Sequence, residues 1–271
     1  MIWTCGAIMA DDALRISVLD RAFEHGLGLF ETLRTWNGRP ALLPRHLERL
    51  RRSADELRIP LDPRDLPTAD DVRALLAADG RAGDAMLRIT LSGGTSETEG
   101  SKLWMRSAPL PPPATGYRLG PTAPARGDKL AGYKSLNYWP YRLAHQQARA
   151  DGFDECLMVD TKGSVLEGSR TSVFFVLEGR LVTPPADGRI VPGIMRGLVV
   201  ERARALGIAV EEASLTGLKA GERAEELFLT NAVRGILPVG QWREKVLPAP
   251  GAITEKLRDD LAAWLESGGT S

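Results

Sequence analysis

The chain has 271 residues, a length that suits one large or two modest domains. Hydrophobic residues make up 43% and charged residues 26%, a soluble globular balance that buries a core without disulfide or metal staples. Lys plus Arg and Asp plus Glu each number 35, so the chain lacks the basic excess that a nucleic-acid binder needs.

In chain order, residues 29–36, the Asn37-Gly38 pair and residues 40–43 read as a hairpin around a type I′ turn. Residues 44–59 read as a helix, because Leu47, Leu50, Ala54 and Leu57 recur at spacings of three and four. Residues 68–78 read as a second helix, with Thr68 as N-cap and Asp70 and Asp71 in the positive first turn. Residues 86–91 read as a strand that stops at Gly93-Gly94. The stretch Ser107-Ala-Pro-Leu-Pro-Pro-Pro-Ala-Thr-Gly116 cannot continue a helix or a central strand. It predicts a linker over residues 109–132, between a small N-terminal domain (1–108) and a larger C-terminal domain (133–271). Beyond it, residues 138–150 read as a helix and 155–160 as a strand. Residues 171–177, Glu178-Gly179 and 180–183 read as a second hairpin. Residues 193–206 read as a helix stopped by Gly207, and 227–230 as a strand. Mixed strands and helices in both halves predict a two-domain α/β or α+β protein.

The chain begins without a basic segment followed by an apolar run, and no stretch approaches eighteen apolar residues, so a cytoplasmic protein is expected. Cys5 and Cys156 are far apart and do not make a disulfide scaffold. His25, His46 and His145 are scattered, and no metal site is expected. The basic residues divide into 28 Arg and only 7 Lys, which shortens the search for a Schiff-base lysine.

Four local features carry chemistry. Ala131-Gly-Tyr-Lys134-Ser-Leu-Asn137-Tyr138 sets a lysine in a mostly uncharged segment at a helix entry, where poor solvation favours a nucleophilic amine. An ordinary surface lysine is the other reading. Val165-Leu-Glu167-Gly168-Ser169-Arg-Thr-Ser172 offers a carboxylate among small residues, suited to a ligand's ring nitrogen or to plain loop chemistry. Val191-Pro192-Gly193-Ile194-Met195-Arg196 opens a helix whose free amides suit an anion, with Gly193 allowing close approach. On the first helix, Arg49 lies at the edge of the apolar stripe, able to reach a phosphate or to pair with a neighbour such as Glu48.

Taken together, in this order and spacing, these features resemble the class IV aminotransferase family, the fold-type IV enzymes of pyridoxal 5′-phosphate (PLP). The resemblance includes Asp20-Arg21, Gly26-Leu-Gly-Leu-Phe30-Glu31-Thr32, His46-x-x-Arg49-Leu50, Thr183-Pro184 and Pro238-Val239, besides the segments just quoted. It implies a small N-terminal α/β domain and a larger mixed domain, as in D-amino-acid transaminases. It implies that Lys134 holds PLP covalently and acts as general base and acid. Glu167 would hydrogen-bond the pyridine nitrogen and keep it protonated. Arg49 and the amides of Ile194 and Met195 would hold the phosphate, with Thr230 and Asn231 as a further contact. A homodimer is implied, each active site lying between the two domains and completed by the partner.

Within the family the cofactor site is shared and the substrate pocket decides the reaction. The run Gly26-Leu-Gly-Leu-Phe-Glu-Thr-Leu-Arg34, the Lys134-x-x-Asn137 pattern and Asn231-Ala232 are similar to 4-amino-4-deoxychorismate lyases. The alternative is an aminotransferase acting on D-amino acids, branched-chain L-amino acids or (R)-amines. A PLP-binding protein without catalysis, or a plain α/β binding domain, is the remote one. His25, Phe30, Arg88, Ser92 and Tyr138 are the candidate substrate contacts. Ser92 stands where lyases commonly carry an arginine, so Arg88, Arg106 or His25 is left to meet the substrate carboxylate.

Overall fold

A computed structural model describes residues 1–81, 83–113, 116–125 and 127–268. Residues 114, 115 and 126 of the expected linker, and 269–271 of the expected C-terminal domain, lie outside the described residues. The chain divides into two compact units. The first comprises Met1–Pro111, the excursion Lys134–Asn137 and the C-terminal stretch from Leu265; the second comprises Pro112–Tyr133 and Tyr138–Trp264. Among the described residues no helix is long and apolar enough to cross a membrane.

The first unit contains β1 (Ile2–Thr4), β2 (Ala7–Met9), α1 (Arg21–His25), β3 (Gly28–Trp36), β4 (Arg39–Pro40), α2 (Leu43–Glu56), α3 (Ala69–Ala78), β5 (Ala85–Ser92) and β6 (Leu103–Pro109). Its strands form one sheet in the order β2-β1-β6-β5-β3-β4. The Asn37-Gly38 turn has positive φ at both positions, as a type I′ hairpin requires, but the return strand is only two residues long. Leu42 then takes a left-handed conformation and Leu43 starts α2, with Pro44 in its first turn, so residues 41–43 are not part of the return strand expected over 40–43. Thr68 and Asp71 close a full capping box on α3. Leu29, Leu33, Leu87, Ile89 and Leu91 of the sheet are buried together with Leu50 of α2 and Leu75 of α3.

The second unit contains β7 (Tyr117–Pro124), α4 (Trp139–Ala150), β8 (Glu155–Val159), β9 (Ser164–Gly168), β10 (Ser172–Leu177) and β11 (Arg180–Thr183). It continues with α5 (Ile194–Ala205), β12 (Val210–Glu212), β13 (Leu215–Thr216), α6 (Gly217–Arg223), β14 (Glu226–Asn231), β15 (Gly235–Trp242), β16 (Lys245–Val246) and α7 (Ala252–Glu266). The sheet runs β12-β11-β10-β14-β15-β7-β8-β9-β13, with β16 on β15. The stretch expected as a linker therefore holds β7, which pairs in parallel with both β15 and β8. Its ladder to β8 shifts register between Leu119 and Thr122, skipping Gly120-Pro121, so the amide that proline lacks is not needed there. Val173, Phe175, Leu227, Leu229 and Trp242 lie in the buried apolar cluster on one face of this sheet.

Candidate active site

In the first unit, the segment carrying Lys134 lies along the N-terminal half of β3. The Phe30 amide donates to the Lys134 carbonyl at 2.9 Å, the Leu136 amide donates to the Gly28 carbonyl at 2.9 Å, and Ser135 bridges Leu29. β4 pairs only with Thr35 and Trp36 at the far end of the same edge, which leaves the near end to this segment. Gly28 makes the approach possible: at φ 156° an added Cβ would sit 2.6 Å from Leu136 Cδ1 and 2.7 Å from the Leu91 carbonyl.

Lys134 Nζ stands 4.5 Å from the centroid of the Phe30 ring, and the Arg88 guanidinium carbon stands 3.8 Å from the same centroid. Thr32, Arg88 and Arg106 are direct register partners across β3, β5 and β6. Opposed residues of antiparallel strands share a face, so Phe30, Thr32, Arg88 and Arg106 belong to one face of the sheet, with the Arg88 guanidinium and Lys134 Nζ both against the Phe30 ring.

On the reverse face of β3, Glu31 is 1% exposed and accepts from Arg49 Nε at 2.7 Å and Nη2 at 2.6 Å. His46 Nδ1 lies 2.6 Å from the same carboxylate. Burial pushes Glu31 up, but the Arg49 charge and the bonds from His46 and Arg49 outweigh it and hold the carboxyl at about 2. Burial also holds His46 below its ordinary value, and its Nε2 is buried without a hydrogen-bond partner. Arg49 is thus a buried, bidentately held cation rather than a solvated helix charge, and it is Arg51 that pairs with Glu48.

The other expected substrate contacts are less tied to Lys134. Ser92 is 1% exposed; its hydroxyl donates to Asp20 at 2.6 Å and accepts from the Lys102 amide at 2.9 Å. Both bonds tie the Ser92 hydroxyl into the fold. His25 ends α1 with its side chain 64% exposed.

In the second unit, Glu167 lies near the end of β9 and is buried. Tyr141 Oη donates to Glu167 Oε1 at 3.2 Å, and Tyr138 Oη donates to the Ser169 carbonyl at 3.2 Å. The two tyrosines, one helical turn apart at the start of α4, stack with centroids 5.2 Å apart. Sequence reading passed over Tyr141; its i, i+3 spacing from Tyr138 was the available signal.

A few residues away the same unit builds an anion cradle. Gly193 caps α5 without a side-chain bond, so the amides of Ile194 and Met195 point out of the first turn. A Cβ on Gly193 would sit 2.7 Å from Ser172 Oγ, so only glycine leaves that opening. Ser172 is the register partner of Thr230, whose Oγ1 is buried with no hydrogen-bond partner. An orphaned hydroxyl beside helix-start amides and a bare glycine fits a phosphate monoester. Asn231 also shapes the turn that follows: its Oδ1 accepts from the Val233 and Arg234 amides.

Residues 28–242 match the model of the family described as amino-transferase class IV. A provisionally named branched-chain-amino-acid aminotransferase of Methanocaldococcus jannaschii is 32% identical over 95% of this chain and 94% of its own length. The aminodeoxychorismate lyase of Bacillus subtilis is 27% identical over 90% of this chain and 87% of its own. The crystal structure of a branched-chain aminotransferase from Thermoproteus uzoniensis superposes with a TM-score of 0.86 at 25% identity, covering 98% of this chain and 94% of that one. The fold is that of the fold-type IV aminotransferases, whose cofactor, PLP, has the phosphate and the ring nitrogen that the cradle and Glu167 fit.

Proposed function

This chain belongs to the class IV aminotransferases, PLP-dependent enzymes, and from that premise we propose that it is a 4-amino-4-deoxychorismate lyase, releasing pyruvate and 4-aminobenzoate. The observation that carries the reading is the face beside Lys134, where Arg88 and Arg106 are directly opposed. Two cations opposed on one face favour an anionic ligand over an apolar one. A substrate with two carboxylates suits such a face, whereas a branched aliphatic side chain gains nothing from it. The motifs Gly26–Arg34, Lys134-x-x-Asn137 and Asn231-Ala232 support the same choice.

PLP supplies, when bound, an electron sink that makes the proton on the amine-bearing carbon removable. Lys134 Nζ would hold the cofactor and, as a free amine beside the substrate, would carry that proton. Glu167, oriented by Tyr141, keeps the ring nitrogen protonated. Ile194, Met195 and Thr230 would take the phosphate, a role that the family resemblance also gives to Arg49. Arg88 and Arg106 orient the substrate through its carboxylates.

The 32% identity to a protein named as a branched-chain aminotransferase supports amino transfer as the second reading. An assay with 4-amino-4-deoxychorismate, beside a panel of L- and D-amino acids with 2-oxo acids, decides between them. Release of 4-aminobenzoate by the wild type, absent in Lys134→Ala, is the expected result. Amino transfer without 4-aminobenzoate would replace the lyase reading. A protein that takes up no PLP would remove both.

A further inference from the structure

We propose that Glu155 is a positioning residue that fixes the reach of Glu167 toward the cofactor ring, an inference that rests on the role of Glu167 given above. Glu155 opens β8 and is 1% exposed, a full carboxylate inside the second unit. Its neighbours on β8, Leu157 and Met158, pair with Gly168 and Glu167 of β9. Carried on, that register would set Arg170 opposite Glu155. The chain leaves the sheet first, turning so that the Gly168 amide donates to the Thr171 carbonyl at 2.7 Å.

The Glu155 carboxylate replaces the missing strand. Oε1 accepts from the Ser169 amide at 3.1 Å, from Ser169 Oγ at 2.5 Å and from the Cys156 amide at 3.0 Å. Thr171 Oγ1 lies 3.5 Å from Oε2. His145 Nδ1 is 3.8 Å away, and Arg170 contacts the same imidazole. The anchored turn, residues 168–171, joins Glu167 at one end to Ser172 at the other. Glu167 is the residue assigned to the ring nitrogen and Ser172 lies against Gly193 at the phosphate cradle, so one buried carboxyl group sets the spacing between the two ends of the cofactor site. Tyr138 holds the same turn through the Ser169 carbonyl.

The test uses purified enzyme titrated with PLP, reading the dissociation constant and the pH dependence of the cofactor's visible band. Four variants are compared: Glu155→Ala, Glu155→Gln, Glu167→Gln and the double Glu155→Ala/Glu167→Gln. Glu155→Ala is expected to weaken PLP binding roughly tenfold, the worth of a lost charge-assisted bond, and to move the band's pH dependence in the same direction as Glu167→Gln. Glu155→Gln keeps an oxygen where Oε1 accepts three bonds and is expected to bind PLP within about threefold of wild type. The double variant is expected to bind no more weakly than Glu167→Gln, because both act through one carboxylate. Wild-type affinity and spectrum in Glu155→Ala, or losses that add in the double variant, would overturn the inference alone. A silent Glu167→Gln would overturn the underlying assignment and this inference with it. If Glu155→Ala does not fold, Ser169→Ala removes the 2.5 Å bond by itself, and unchanged PLP affinity there overturns the proposal.

Discussion

At the scale of single residues, the first unit is organised around the buried carboxylate of Glu31. Removing it takes two charge-assisted bonds from the buried Arg49 cation, so Glu31→Ala should destabilise the protein by about 3–5 kcal/mol, measured as the fall in urea midpoint. The pH dependence follows from the same group. Its folded pKa, about 2, lies below the ordinary 4.5, so the stability it contributes is complete above pH 4.5 and is lost as pH falls toward 2. His46, also held below its ordinary 6.5, has the same sign: the unfolded chain takes its proton first on acidification. Urea midpoints should therefore decline from pH 7 downward, and Glu31→Gln should flatten the part below pH 4.5. The sequence placed Arg49 on α2 but could not show where its fork points, because its partner lies eighteen residues earlier on a strand. The partners of Ser92 were hidden for a related reason: a serine at a strand end looks accessible until Asp20 and the Lys102 amide are folded onto it.

At the scale of elements, what was legible had a local cause. α2 announced itself by its apolar stripe, α3 by its capping box, and the two tight hairpins by Asn37-Gly38 and Glu178-Gly179, all at positive φ. β7 was not legible, since its prolines and glycine read as a linker and only a register shift lets it join the sheet. Glu155 was not legible either, because its partners are set by tertiary pairing, and of Tyr141 only the spacing from Tyr138 was visible, not its bond to Glu167. Two predictions belong here. Thr68→Ala should cost about 1 kcal/mol, the worth of an N-cap, seen as a small drop in Tm with PLP binding intact. Gly193→Val should weaken PLP binding roughly tenfold or more while leaving the helical signal unchanged, because the added side chain meets Ser172 at the mouth of α5.

For the whole molecule, zero formal charge removes any general attraction for anions, so cofactor and substrate must be recruited by local donors. It also predicts least solubility near neutral pH, improving on either side, which a precipitation series in ammonium sulfate would record. PLP at a hundredfold excess over its dissociation constant should add about 2.7 kcal/mol to the stability of the native state. For a chain of this size that is a rise in Tm of roughly 5–10 °C, and a calorimetric scan without such a rise would contradict cofactor binding at the cradle.

The hydrogen bonds that close the seam between β3 and the Lys134 segment are main-chain ones. The amides of Phe30 and Leu136 that close it are therefore reporters, readable by deuterium uptake, of how often the reactive lysine leaves its post. If they exchange only as fast as the sheet as a whole opens, the lysine is held for the lifetime of the fold. If they exchange sooner, the same seam is a latch whose opening rate caps how fast the enzyme can turn over.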